Sequence, residues 1–358
     1  MNAPASSAPA PAPAPAPAVV PPAPTAAVSV LLDDTDHRIE WHALDGAPSR
    51  PLFITFDPLM VLWPKPPFGL DFLLRQGVDV VAVRRKSEHF FQTLTRAAFA
   101  QAVAPVLAQA QAQGRPVIVY GSSLGAYAAL YYGRDLDAQV IALSPRVSVH
   151  PEFGNETWRA RAEWRHEALD DGRPARCRAT VAYDPREPID RRFIDEALAP
   201  AFPQASWMRL PFTGHPVTQF LADTHHLSRW IRALAAGQDA PALDRRAGRR
   251  LSATWHQVTA DLCARRGRLA LADALVARSL ALRERSMLAH RTRGLIKTLQ
   301  KDWPEALASL EKALAFDAAD PLTQSMLARV RKAMAGGPAA APADVTGWRA
   351  RLRRWLGR

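Results

Sequence analysis

Cysteine is almost missing from this chain, with two among 358 residues, Cys177 and Cys263. That excludes a disulfide framework and a cysteine-built zinc site, and it fits a reducing compartment. A cytoplasmic protein is therefore expected. No unbroken apolar run reaches the roughly 18 residues that a membrane-crossing helix needs. The first residues, MNAPASSAPAPAPAPAPAVVPPAP, lack the basic start and leucine-rich core of a secretory signal. Their alternating Ala and Pro predict an extended, solvated arm over 1–27. Acidic residues are in deficit, 34 against 46 Lys and Arg, which gives a formal charge of +12. Such a surplus suits nucleic acid or an anionic membrane surface. The basic residues are mostly arginine, spread along the chain without a zinc-finger or RNA-binding signature, which argues against nucleic acid. Metal-binding motifs and phosphate-cradling glycine loops are missing as well, so neither a metal nor another cofactor is expected.

What remains is an ordinary globular composition, 48% hydrophobic and 22% charged, at a length that suits two domains. Apolar runs recur at VSVLL (28–32), RIEWHAL (38–44), LFITF (52–56), VDVVAV (78–83), PVIVY (116–120), QVIALS (139–144), RATVAY (178–183) and SWMRLPF (206–212). The first two read as an antiparallel start. Several of the others are continuous Val/Ile/Leu runs, as in strands covered on both faces, and helical patterns lie between them. This alternation predicts an α/β domain over 28–236, a mostly parallel sheet with helices on each side. Residues 146–176, aromatic and charged, are too long for a plain connection. They read either as a short helical lid over the sheet's C-terminal edge or as a surface insertion without a role.

The run PVIVYGSSLGAYAAL (116–130) places a serine at a tight turn from strand to helix. Ser123 takes the apex, Ser122 stands beside it, and Gly121, Gly125 and Ala126 let the helix approach the strand. A helix N-terminus beneath Ser123 favours a developing oxyanion. The stretch resembles the nucleophile elbow of the α/β-hydrolase superfamily. That resemblance implies a triad in chain order serine, acid, histidine. Gly214-His215, just past the last strand, resembles the family's histidine loop, and a neutral imidazole there would take the serine proton. His225 and His226 are competitors inside an expected helix. RATVAYDPREPID offers Asp184, Glu187 and Asp190 for the acid. Asp184 follows the strand directly and is the first choice. Glu187 fits the family's Gly-x-x-Asp spacing with Asp184 standing in for the glycine, and Asp190 is also placed to cap the next helix. For the oxyanion hole the resemblance implies the Leu124 N–H and a donor from the loop after 52–56. The family's His-Gly-Gly sequence is absent there, and Pro58 has no N–H, which leaves Asp57 or Leu59. The segment RRKSEHFFQ (84–92) ends another strand and is placed either to line the same rim or simply to carry surface charge.

From 251 to 335 the texture is helical throughout, after a linker at 237–250. SLAL (279–282) superposes on ALAF (313–316) at an offset of 34, which aligns Ala260 with Gly294, Ala272 with Ala306, Val276 with Leu310 and Ser279 with Ala313. This resembles the tetratricopeptide repeat, a 34-residue helical hairpin with small residues where its helices cross. Ala318 stands where that family usually has proline, and Lys297 stands where it has an early aromatic. The resemblance implies a protein-docking module. A second linker (336–343) leads to DVTGWRARLRRWLGR. There Val345, Trp348, Leu352 and Trp355 share one helical face, and arginines crowd the rest. A helix over 344–358 lying on an anionic membrane is one reading, which would make the protein peripheral on the inner face. A helix docked on its own protein is the other.

Together these features predict a serine hydrolase of carboxylic esters with an attached docking domain. Its substrate would be a small-molecule, glycan or lipid ester, with an acyl or acetyl group on a saccharide or lipid-linked glycan as the working guess. An acyltransferase linked to surface glycan or lipid assembly, and a non-catalytic hydrolase-fold scaffold, are the alternatives.

Overall fold

A computed structural model of the chain describes residues 24–45, 50–154, 156–215 and 217–336. Most of the expected arm (1–27), nearly all of the second linker (336–343) and the whole basic helix (344–358) lie outside the described residues.

All eight expected strands are present: β1 Ala27–Asp33, β2 His37–Ala43, β3 Leu52–Phe56, β4 Asp79–Arg85, β5 Val117–Ser122, β6 Gln139–Leu143, β7 Arg178–Tyr183 and β8 Ser206–Arg209. They form one sheet in the order β1-β2-β4-β3-β5-β6-β7-β8. β1 pairs antiparallel with β2 and β2 antiparallel with β4, and every later pairing is parallel. β3 and β4 are buried along their whole length, so their apolar runs face a core on both sides. Side chains alternate between those cores. Phe53, Val80, Ile118 and Ile141 pack with α1 (Leu70–Arg75) and with the later helices α7 (Val217–Asp223) and α8 (His226–Ala235). Their neighbours Ile54, Val81, Val119 and Val140 pack with α2 (Arg96–Ala112) and α3 (Leu124–Gly133) on the opposite face.

β3 is flanked by β4 on one side and β5 on the other, so the chain reverses its direction of winding there. In parallel sheets such a switch opens a crevice at the strands' C-terminal ends. The turns after β3 and β5 meet in it.

The 146–176 insertion carries one short helix, α4 (Glu156–Arg159), and is anchored on α3 by His166. That imidazole is buried, with Nδ1 2.7 Å from the Tyr127 hydroxyl and Nε2 2.7 Å from the Phe91 carbonyl, and it stacks on Tyr131. After β7 the chain runs through α5 (Pro188–Phe193), a π-helical turn (Ile194–Leu198) and α6 (Ala199–Ala201).

The described C-terminal part consists of α9 (Arg245–Leu251), α10 (Ala253–Arg265), α11 (Leu269–Leu282), α12 (Met287–Gln300), α13 (Trp303–Leu314) and α14 (Pro321–Met334), with each helix from α10 to α13 packing on the next. α9 occupies much of the expected 237–250 linker. Ser252, Ser286 and Asp320 each cap a helix start by accepting a first-turn N–H, and each stands 34 residues after the last. At Gly294 a Cβ would come within 2.6 Å of the Leu310 side chain, so the crossing of α12 and α13 needs glycine there.

The two parts of the chain meet at α7. The Asp223 carboxylate accepts from Ser252 Oγ (2.8 Å), from Thr254 N (3.0 Å) and from the Arg283 guanidinium. Gly248 of α9 lies against Thr224 and Phe220, where a Cβ would meet Thr224 Cγ2 at 3.0 Å.

Candidate active site

The turn after β5 is tight enough to admit only glycine on either side of its serines. A Cβ on Gly121 would lie 2.1 Å from the Gly125 carbonyl oxygen, and one on Gly125 would lie 2.3 Å from the Phe56 oxygen. α3 therefore presses on both β5 and β3. Ser123 absorbs the strain with φ 55° and ψ −118°, a conformation that L residues rarely adopt. Its N–H donates to Leu143 O (2.9 Å), and its carbonyl accepts from Ala126 N (3.0 Å) and Arg146 N (3.2 Å). The backbone is fixed on both sides while the side chain stays half-buried. Ser122 turns away, its hydroxyl 2.6 Å from Thr218 Oγ1.

Ser123 Oγ lies 2.9 Å from His215 Nε2, and His215 Nδ1 lies 2.8 Å from Asp190 Oδ2. The three side chains come from three separate segments: the turn after β5, the first turn of α5 and the loop after β8. The carboxylate on the imidazole is Asp190, not Asp184, the residue expected first. Asp184 is turned into its own loop, where Oδ1 accepts from Arg186 N (2.8 Å) and Oδ2 from Gly214 N (2.7 Å). Both its oxygens are committed, and it holds the histidine loop from behind. Nor does Asp190 cap a helix. α5 begins at Pro188 with Glu187 as its N-cap residue, and Asp190 lies inside the first turn, which swings it toward His215. Asp190 has no exposed surface. Burial would raise its carboxyl, but His215 and Arg146 outweigh that and hold it below the ordinary carboxylate range. Glu187 meets Arg146 rather than the imidazole, with Arg146 Nη2 donating to its Oε1 (3.2 Å), and burial raises its carboxyl.

A cavity of about 490 Å3 opens over Ser123 and His215, walled by Leu59, Met60 and Trp158 on its apolar side. Ser148, Thr218 and Gln219 supply its polar side, and Arg146 also reaches it. The insertion thus contributes Ser148 and Trp158 to the wall. Asp57 does not line the cavity. Its N–H donates to Val83 O (3.3 Å), and its carboxylate accepts from Phe68 N (2.9 Å) and Arg84 Nε (3.0 Å), so as an oxyanion donor it is overturned. The Leu124 N–H stands at the first position of α3, where no intrahelical acceptor exists. The segment 84–92 does not reach this cavity either. Ser87, His89 and Gln92 line a separate one of about 310 Å3 with Arg161 and Arg165. His225 is the exposed residue before α8, and His226 is buried beside Trp230.

With that topology and that elbow, the fold is α/β-hydrolase-like. No family model and no curated protein sequence matches the chain. Solved structures similar to it include a glycosylation-associated protein complex from Streptococcus agalactiae, 13% identical, TM-score 0.45, aligned over 59% of this chain. This chain spans less than half of that one, 47%. An esterase of Pyrococcus furiosus is 12% identical with a TM-score of 0.40, covering 57% of this chain and 87% of that one. The esterase Est1E from Butyrivibrio proteoclasticus is 12% identical with a TM-score of 0.40, covering 59% and 98%.

Two arginines hold parts of the site in roles that the sequence did not assign to them. Arg85, fully buried, donates from Nη2 to Pro58 O (3.1 Å) and Leu59 O (2.8 Å), which pins the loop after β3. Arg146 donates from Nε to Asp190 Oδ1 (2.7 Å). Neither belongs to a motif. For Arg85 the one sequence signal is an arginine pair ending the apolar run Val80–Val83 of β4.

Proposed function

We propose that the chain is a serine hydrolase of carboxylic esters. Ser123 is the nucleophile, His215 the general base and Asp190 the acid that holds the imidazole in its working tautomer. The observation that carries this reading is the unbroken relay from Ser123 Oγ through His215 to Asp190, at 2.9 and 2.8 Å, on a serine held at positive φ. His215 Nε2 takes the hydroxyl proton as Oγ adds to the ester carbonyl. The oxyanion is met by the Leu124 N–H and, from the loop that Arg85 pins, the Leu59 N–H. The imidazolium then protonates the departing alkoxide, leaving an acyl-enzyme. Water, deprotonated by the same nitrogen, releases the acid and restores Ser123.

The cavity favours a small acyl group against Leu59, Met60 and Trp158, with a hydroxylated alcohol partner against Thr218 and Gln219. An acyl or acetyl ester on a saccharide or lipid-linked glycan has that chemistry. The helices from α10 to α14 act as a tetratricopeptide-like module that docks a protein partner. The 34-residue interval of the caps and the Gly294–Leu310 crossing support this. No helix among the described residues is long and apolar enough to cross a membrane. The basic segment 344–358 would give a peripheral hold on an anionic surface.

A fluorophosphonate probe tests the chemistry. Labelling is expected in the wild type and in Ser122→Ala, and is lost in Ser123→Ala. A folded wild type that the probe leaves unlabelled would overturn the enzymatic reading and favour a scaffold.

A further inference from the structure

We propose that Arg146 is a positioning residue for this reaction, clamping the Asp190 carboxylate onto His215 while tying the same loop to the Ser123 backbone. The inference rests on the hydrolase reading above. Arg146 follows β6 and touches both ends of the relay without touching the reacting atoms. Its N–H donates to Ser123 O (3.2 Å), and its guanidinium donates from Nε to Asp190 Oδ1 (2.7 Å) and from Nη2 to Glu187 Oε1 (3.2 Å).

The need for such a clamp follows from burial. Asp190 is fully enclosed, and His215 fills only one of its two oxygens. A buried carboxylate oxygen without a donor is costly, and the side chain would turn to find one. Arg146 supplies that donor and so removes the reason to turn. It also balances charge. The groups facing Asp190 are His215 and Arg146, while Glu187 sits across the guanidinium and Asp184 lies at the start of the same loop. Without Arg146, two close carboxylates would share one imidazole. The planar fork reaches both Asp190 and Glu187, a geometry that a lysine ammonium cannot reproduce.

The experiment compares wild type, Arg146→Ala and Arg146→Lys in steady-state hydrolysis of p-nitrophenyl acetate across pH, in probe labelling, and in proton NMR. In Arg146→Ala we expect kcat to fall about 100-fold with KM nearly unchanged, the scale of an ångström of misplacement. The acid limb of the pH profile should move to higher pH, because losing the neighbouring Arg146 cation favours the protonated form of Asp190. Millimolar ethylguanidinium should restore part of the rate. Arg146→Lys keeps the charge, so its acid limb stays in place, yet it still loses about tenfold for want of the fork. The downfield resonance of the His215 Nδ1 proton should weaken in both variants. That signal tests the clamp even if the wild type proves unreactive, so failure of the hydrolase reading is separately visible through the probe. The proposal is overturned by an Arg146→Ala protein with wild-type kcat, acid limb and NMR signal. It is equally overturned by a loss of rate with an unmoved limb and no rescue, which marks a purely structural role.

Discussion

At the scale of single residues, two aspartates six positions apart do different work. Asp190 accepts from His215 Nδ1, whereas Asp184 accepts the Gly214 amide one residue before that histidine. Asp190→Asn should lower kcat about 10⁴-fold, since an amide holds the wrong imidazole tautomer. Asp184→Asn should lower Tm and cost no more than about tenfold in kcat, because one acceptor oxygen survives. Ester hydrolysis and calorimetry on both variants separate the roles, and equal losses of kcat would refute the assignment. Ser123 and His215 were legible in the sequence because their glycine neighbours mark them. The choice among Asp184, Glu187 and Asp190 was not. Distance along the chain from a strand end does not set the direction of a side chain, which here depends on where α5 begins. Asp57 misled for a related reason, since its backbone N–H was already engaged by β4.

At the scale of elements, the helices of the C-terminal part pack through holes left by small residues. The Leu310 side chain fills the space over Gly294 that a methyl group would need. Gly294→Ala should destabilise by about 1–3 kcal/mol, the range for overpacking. Adding Leu310→Ala should cost less than the sum of the two single changes, and urea unfolding of the three variants measures that coupling. The eight strands could be read directly from their apolar runs, because burial on both faces writes itself into composition. α9 could not. Its sequence, RRAGRRL, has no apolar stripe, and it is placed by Gly248 fitting against Thr224 and Phe220. Of the two readings open for 84–92, the rim of this cavity does not hold, for a similar reason: its aromatic residues Phe90 and Phe91 turn inward to the core.

At the scale of the whole molecule, buried and half-buried histidines set the response to acid. His37, His150 and His166 are pushed down from 6.5 to about 4, with burial the main cause for each. His42, His89, His226 and His290 move the same way. A folded value below the unfolded one means that the stabilising contribution is complete above about pH 6.5 and is lost as pH falls toward about 4. Asp57 and Glu187, raised by burial, act in the opposite sense but are fewer. Tm should therefore drop between about pH 7 and pH 4.5, with a shallower slope in His166→Gln. A flat Tm over that interval, measured by circular dichroism, would contradict the reading.

Asp223 sits upstream of the exposed stretch that joins α8 to α9, yet it grips residues on the far side of that stretch. The covalent link between the two parts is thus redundant with a rivet placed one helix earlier. A protease that severed the chain around residue 240 would leave a nicked heterodimer. Its Thr218 and Gln219 wall would stand unbroken, because the rivet and the wall belong to the same helix.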